Sequence, residues 1–280
     1  MIEKTFETAS GAIRYWVSHN GVARFPQLVF LPGLTADHRL FDRQIERFES
    51  MLPCLVWDPP AHAASRPYRE ISLFNWAETL HALLAAEGFD SPVLVGQSMG
   101  GYVAQAFIDR FPSAAAGLVA IDSAPLQRAY FSNWELWTLK RMGPVYRAIP
   151  WRLLLAWGSS GVARSAYGKT LMREMMERYD KRTYCDLAAR GYRALAEAVE
   201  ACRPYEIDCP ALLICGERDR AGSVKRYNRR WHERSGIPLV WVPDAGHNSN
   251  TDRPDLVNRH LAEFLQQELG AKACRTTRAV

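Results

Sequence analysis

The amino-acid sequence predicts an α/β fold with a mostly parallel central sheet, helices on both faces, and a helical cap inserted after the strand that ends at Asp122. Three observations predict it. Short, continuous apolar runs such as QLVFL at 27–31, AGLVAI at 116–121 and PALLIC at 210–215 have the character of strands buried on both faces, as in a parallel sheet. Between these runs lie stretches with apolar residues at helical spacing, which is the rhythm of successive βαβ units. From 126 to 205 that rhythm stops, and only helical patterns remain.

In chain order, residues 3–18 read as an entry hairpin turning at Ser10-Gly11, with Ile13, Tyr15 and Val17 alternating against polar neighbours. The strand at 27–31 ends in Pro32-Gly33, and 37–50 continues as an amphipathic helix with Leu40, Phe41, Ile45 and Phe48 on one face. A strand at 52–57 leads into DPPAHAASRP, where the prolines preclude regular structure. Residues 73–88 form a helix closed by Gly88, and 93–95 form the next strand, breaking at Gly96. Within 126–205, Met172, Met175, Met176 and Tyr179 share one helix face, a stripe that reads first as core packing, and Trp134, Trp137, Trp151 and Trp157 add aromatic bulk. Because this insertion leaves the sheet at the carboxyl edge, where ligands bind in open α/β sheets, its aromatics and methionines are expected to help wall an apolar pocket. Alternation resumes at 210–215, followed by a helix at 223–235, a strand at 239–242 and a last helix opened by Pro254. The division expected is a core of 1–125 and 206–270, a cap of 126–205 and a flexible basic tail of 271–280.

Composition narrows the function classes. The six cysteines show neither C-x-x-C pairs nor framework spacing, so reduced thiols are expected, with neither structural zinc nor a disulfide scaffold. The N-terminus lacks an apolar signal core and no run is long enough to span a membrane, which suggests a soluble, cytoplasmic protein. The net charge is +5, and residues 124–205 carry 14 Lys/Arg against 7 Asp/Glu. That excess, like Lys225, Arg226, Arg229 and Arg230 further on, reads as solvated helix face; without a groove-binding motif, nucleic acid is not an expected partner.

The chemistry centres on Gly96-Gln97-Ser98-Met99-Gly100, a G-x-S-x-G match set between a strand and a helix. Such a turn puts the serine in a strained conformation and leaves no room for a Cβ at either glycine. Ser98 then stands exposed, with the Met99 N–H beside it, and the turn at Pro32-Gly33 frees the Leu34 N–H nearby. Two preset donors of this kind suit the charge of a tetrahedral intermediate. A serine nucleophile needs a base and an orienting acid, and Asp219 and His247 each follow a buried strand, so both fall at the same edge of the sheet. Asp122 also ends a strand and is the rival acid. His62, in the proline loop, is expected to anchor that loop rather than to act on substrate.

GQSMGG, LPGL, DPPAHAAS, GERD and AGHNSN, with Ser, Asp and His in that chain order, make residues 2–269 resemble the α/β-hydrolase superfamily, and its capped members in particular. The resemblance implies Ser98 as nucleophile, His247 as general base and then acid, Asp219 as the residue holding the imidazole tautomer, and the Leu34 and Met99 N–H groups as the oxyanion hole. It also implies acyl transfer to water from a small-molecule ester-like substrate, with no metal or organic cofactor. Thioesters, amides, lactones or a carbon–carbon bond beside a ketone would use the same residues. A slow or non-catalytic receptor and a cofactor-free oxygenase or perhydrolase are further readings of the fold. The chain departs from the family pattern at Pro32, where many members have His, and at Ala61 and Ala63, where the loop's two usual glycines stand.

Overall fold

Among the residues described in the computed structural model, 1–19, 26–201 and 205–270, the chain builds one eight-stranded sheet of order β1-β2-β4-β3-β5-β6-β7-β8. The strands are β1 (Ile2–Thr8), β2 (Gly11–Ser18), β3 (Leu28–Leu31), β4 (Cys54–Trp57), β5 (Val93–Gln97), β6 (Gly117–Ile121), β7 (Ala211–Gly216) and β8 (Leu239–Val242). The β1–β2 hairpin joins antiparallel through β2 and β4, and every later pairing is parallel. The helices are α1 (Asp42–Phe48), α2 (Leu73–Glu87), α3 (Met99–Arg110), α4 (Asn133–Leu139), α5 (Met142–Ala148), α6 (Trp151–Val162), α7 (Ala166–Glu177), α8 (Lys181–Glu200), α9 (Val224–Ser235), α10 (Ser249–Asp252) and α11 (Pro254–Phe264).

Alternation along the buried strands divides the core in two. Val29, Leu31, Leu55, Trp57 and Leu94 face α2 and α3, while Leu28, Phe30, Val56, Val93 and Val95 face α1 and α11. Both sets are almost wholly removed from water, each large side chain contributing about 1.5–3 kcal/mol of hydrophobic stabilisation. The helix ends follow local rules: Ser72 accepts from the Asn75 N–H at the start of α2, and Gly88 closes it with φ 71°. This arrangement brings the strand ends together, so that Leu34, Ser98, Asp122, Asp219 and His247 follow β3, β5, β6, β7 and β8 along one edge of the sheet.

The structure departs from the sequence expectations in several places. β5 runs on through Gly96 to Gln97, because both residues still pair with β6. The stretch before α1 starts as a 3-10 turn at His38–Phe41, capped by the Asp37 carboxylate, and the proline loop contains a 3-10 turn at Ala63–Ser65. Trp134, Trp137 and Trp157 lie exposed, the first two stacked on each other with centroids 4.8 Å apart. The methionine stripe of α7 packs as core, as such stripes are expected to, with Met175 accepting from the Asp37 N–H through its sulfur. Cys54, Cys185, Cys209 and Cys215 form no disulfide, and no helix among the described residues is long and apolar enough to cross a membrane. The tail expected at 271–280 lies outside the described residues.

Candidate active site

Ser98 sits between β5 and α3 with φ 50° and ψ −114°, a region that a residue with a Cβ rarely occupies. Its neighbours permit this only because they are glycines. A Cβ on Gly100 would lie 1.8 Å from the Leu31 carbonyl oxygen, and one on Gly96 would lie 2.5 Å from the Gly100 backbone. Two hydrogen bonds hold the turn: the Ser98 N–H donates to Ile121 O at 2.9 Å, and the Ser123 hydroxyl donates to Ser98 O at 2.8 Å. The backbone strain is therefore over-determined by its surroundings, as functional strain must be to persist.

The structure brings Ser98, His247 and Asp219 into one line. His247 Nε2 lies 2.8 Å from Ser98 Oγ, and His247 Nδ1 lies 2.9 Å from Asp219 Oδ2. The other Asp219 oxygen accepts from the Ala221 N–H at 2.7 Å, which fixes the carboxylate's orientation. A carboxylate accepts only, so Nδ1 carries the proton and Nε2 presents its lone pair to the serine hydroxyl. Burial disfavours the imidazolium, but the charge and hydrogen bond of Asp219 and the charge of Asp122 outweigh it, holding the His247 pKa above its ordinary 6.5. Asp122 does not bond to the imidazole. Its oxygens accept from the Gly216 N–H at 2.7 Å and the Ser249 N–H at 2.8 Å, tying β7 to the histidine loop. Burial and the facing Asp219 push its own pKa up.

Leu34 and Met99 both border the space in front of Ser98, and the backbone N–H of neither has a protein acceptor among the described residues. That space is a cavity of about 520 Å³ between the sheet edge and helices α4 to α8. Its wall is mainly apolar, with Phe131, Leu139, Met142, Leu154, Met172 and Leu195 prominent. Trp134 reaches its rim, whereas Trp137, Trp151 and Trp157 do not line it. Side-chain carboxylates help fasten the helices over the sheet. The Asp252 carboxylate accepts from the Arg164 and Ser165 N–H groups between α6 and α7, and also from the Gly246 N–H beside His247. On the opposite side, Glu135 of α4 accepts from Arg226 at 2.7 Å, from Ser223 at 3.2 Å and from the Tyr227 hydroxyl of α9.

A family model described as the alpha/beta hydrolase family matches residues 28–260. The chain belongs to the alpha/beta hydrolase family. Among characterised relatives, a 2-succinyl-6-hydroxy-2,4-cyclohexadiene-1-carboxylate synthase of Klebsiella pneumoniae subsp. pneumoniae is 25% identical over 256 residues, covering 88% of this chain and 96% of the relative. The 3-oxoadipate enol-lactonase 1 of Acinetobacter baylyi is 22% identical over 264 residues, covering 89% and 92%. In fold, the hydrolase is similar to the enol-lactonase from Burkholderia xenovorans LB400, with a TM-score of 0.78 at 19% identity over 94% of this chain and 100% of that one.

Within the hydrolase, His62 stands apart from this line. It is fully buried, donates from Nδ1 to Pro60 O at 3.0 Å and meets Trp76 edge-on, and burial pulls its pKa down to about 4. Ala61 and Ala63 keep φ values of 69° and 37°, so the loop retains a glycine-like backbone without glycine. Asp122, Cys215 and Asp219 bring possible metal-ligand atoms within 4.8 Å of one another. Those donors suit internal bonding better than a cation, since both carboxylates already accept N–H groups and burial keeps the Cys215 thiol protonated. Sequence reasoning missed Gln97, whose side-chain amide donates to His247 O at 2.8 Å and to Asn248 Oδ1 at 3.2 Å. It also missed Asp252 and Glu135. The x position of G-x-S-x-G drew no attention because any residue satisfies the motif, and the two acids act on partners far away in the chain.

Proposed function

We propose that this hydrolase cleaves a carboxylic ester of a small to medium, largely apolar substrate by acyl transfer to water, with Ser98, His247 and Asp219 as a catalytic triad. The observation that carries the reading is the imidazole bridge: one ring nitrogen 2.8 Å from a strained serine Oγ, the other 2.9 Å from a buried carboxylate. His247 takes the Ser98 proton as Oγ attacks the ester carbonyl, and the oxyanion that forms is received by the Leu34 and Met99 N–H groups. Collapse releases the alcohol, which leaves with the proton from His247. A water then enters, His247 takes one of its protons, and hydroxide attack on the acyl-serine frees the acid and restores Ser98. Asp219 holds the tautomer throughout. Residues 126–205 act as the cap that walls off the acyl chamber. A lactone, an ester closed on itself, is the second reading, favoured by the two relatives named as enol-lactonases.

The test is labelling with a fluorophosphonate followed by peptide mass spectrometry, alongside p-nitrophenyl esters of increasing acyl length. Label on Ser98, with turnover lowered at least about a thousandfold in Ser98→Ala, is the expected result. A labelled protein whose modification lies elsewhere, or full turnover in Ser98→Ala, would overturn the assignment.

A further inference from the structure

The acyl chamber contains five phenols, and three of their hydroxyls are hydrogen-bonded to protein groups. Tyr227 donates to Glu135, and Tyr146 and Tyr192 meet at 3.2 Å. Of the other two, Tyr184 and Tyr102, it is Tyr102 that shares a helix with the turn of the nucleophile. It lies on α3 four residues beyond Ser98, one helical turn along and therefore on the same helix face. Only 7% of it is exposed, it lines the chamber, and its hydroxyl has no partner among the described residues. A hydroxyl that borders the chamber without a protein acceptor is open to an acceptor that a bound molecule supplies. Burial also holds the phenol proton in place, so the group is a donor throughout the physiological range.

The charge of the chamber limits what that acceptor can be. Glu135 is the acidic side chain on its wall, and although burial opposes ionisation, bonds from Tyr227 and Ser132 and the charge of Arg226 keep its pKa down at about 2. Its carboxylate is therefore ionised and already committed to Arg226, and no Lys or Arg among the described residues lines the chamber to receive another anion. A second carboxylate brought into this apolar space would lose its hydration and find no Lys or Arg partner on that wall.

We infer that Tyr102 is a specificity-determining residue whose phenol donates a hydrogen bond to an uncharged oxygen, a ketone, ether or hydroxyl, carried by the substrate away from the scissile carbonyl. This rests on the acyl-transfer reading above and adds to it the substrate class: neutral, oxygen-bearing acyl groups rather than plain alkyl or carboxylated ones. The side chain acts on substrate recognition and takes no part in proton transfer.

The experiment compares the p-nitrophenyl esters of heptanoate, of 4-, 5- and 6-oxoheptanoate, and of hemiadipate, in the native protein and in Tyr102→Phe. All rates are corrected for hydrolysis in the presence of Ser98→Ala. In the native protein, kcat/KM for one oxo-ester exceeds that for heptanoate by about fivefold, the range of one neutral hydrogen bond. In Tyr102→Phe the same ratio falls to about one. Because the ratio is taken within each variant, loss of folded protein cancels. Hemiadipate is the poorest substrate in the native protein. An oxo-to-plain ratio that never exceeds one, a ratio that survives Tyr102→Phe, or hemiadipate turnover above that of the oxo-esters would each overturn the inference. Those results leave heptanoate turnover and Ser98 labelling intact, whereas failure of the acyl-transfer reading removes both and the inference with them.

Discussion

The sheet edge and the helices above it are held by different forces. At the edge, position comes from backbone ladders and from places where no Cβ fits, such as Gly100 against Leu31 O. In the helical segment, α4, α7 and α8 are each capped by the side chain of the residue before them, Ser132, Ser165 and Asp180. Those helices then reach the core partly through a few side-chain carboxylates. Backbone packing leaves a nucleophile little freedom. Side-chain fastening lets a pocket wall be rebuilt without disturbing the chemistry beneath it. The comparison predicts that changes at the sheet edge act on kcat, and changes in the helices act on KM and acyl-length preference.

The most severe test separates two carboxylates that are both buried near His247. Asp219→Asn is expected to lower kcat about a thousandfold or more, because Nδ1 loses the acceptor that fixes its proton, whereas Asp122→Asn costs about tenfold or less. The pH profile sharpens the contrast. His247 must be neutral to act as base, and its pKa stands above 6.5, so activity rises with pH through a midpoint above that value. Asp219→Asn moves the residual profile to lower pH, since the carboxylate that favours the imidazolium is gone. Equal losses in the two variants would show that the edge does not discriminate between them.

On the helical side, Glu135→Ala is expected to raise KM about threefold to tenfold with kcat changed by less than about twofold, and to cost about 1 kcal/mol through the lost helix cap and bridge to α9. The pH sign follows from its depressed pKa. The fastening is complete above the ordinary carboxylate value of 4.5 and is lost as pH falls towards about 2, so native KM should rise in acid towards that of the variant. A fall in kcat as large as the rise in KM would break the division. The smallest effect belongs to Ala61→Gly. Ala61 holds φ 69°, and glycine there should stabilise the protein by about 1 kcal/mol, or about 2–4 °C in Tm, with steady-state rates unchanged.

Most of the sheet was legible because its strands are continuous apolar runs that need no partner to be recognised, and Ser98 because glycine spacing records a steric requirement directly. Asp219 and His247 were legible only as strand-following residues; what separates Asp219 from Asp122 is which carboxylate the folded histidine loop turns towards. The tryptophans misled for a related reason. Their size suggested burial in the pocket, yet α4 and α6 place Trp134 and Trp157 outwards. Helical periodicity identifies a face without saying which neighbour it will meet. Nor did local pattern mark Gln97, Asp252, Glu135 or Tyr102, since each depends on partners or empty space that only the fold creates.

The Asp252 carboxylate also has a mechanical consequence. It grips the α6–α7 junction and the loop of His247 at once, and Asn248 adds a bond to Val162 O at 2.8 Å. Swinging that side away would unseat the base together with the wall. The α4 side hangs on Glu135 and partly exposed partners. The Glu135 contacts, by contrast, touch none of the residues of the proton relay, so the two sides of the wall differ in what their loss would cost.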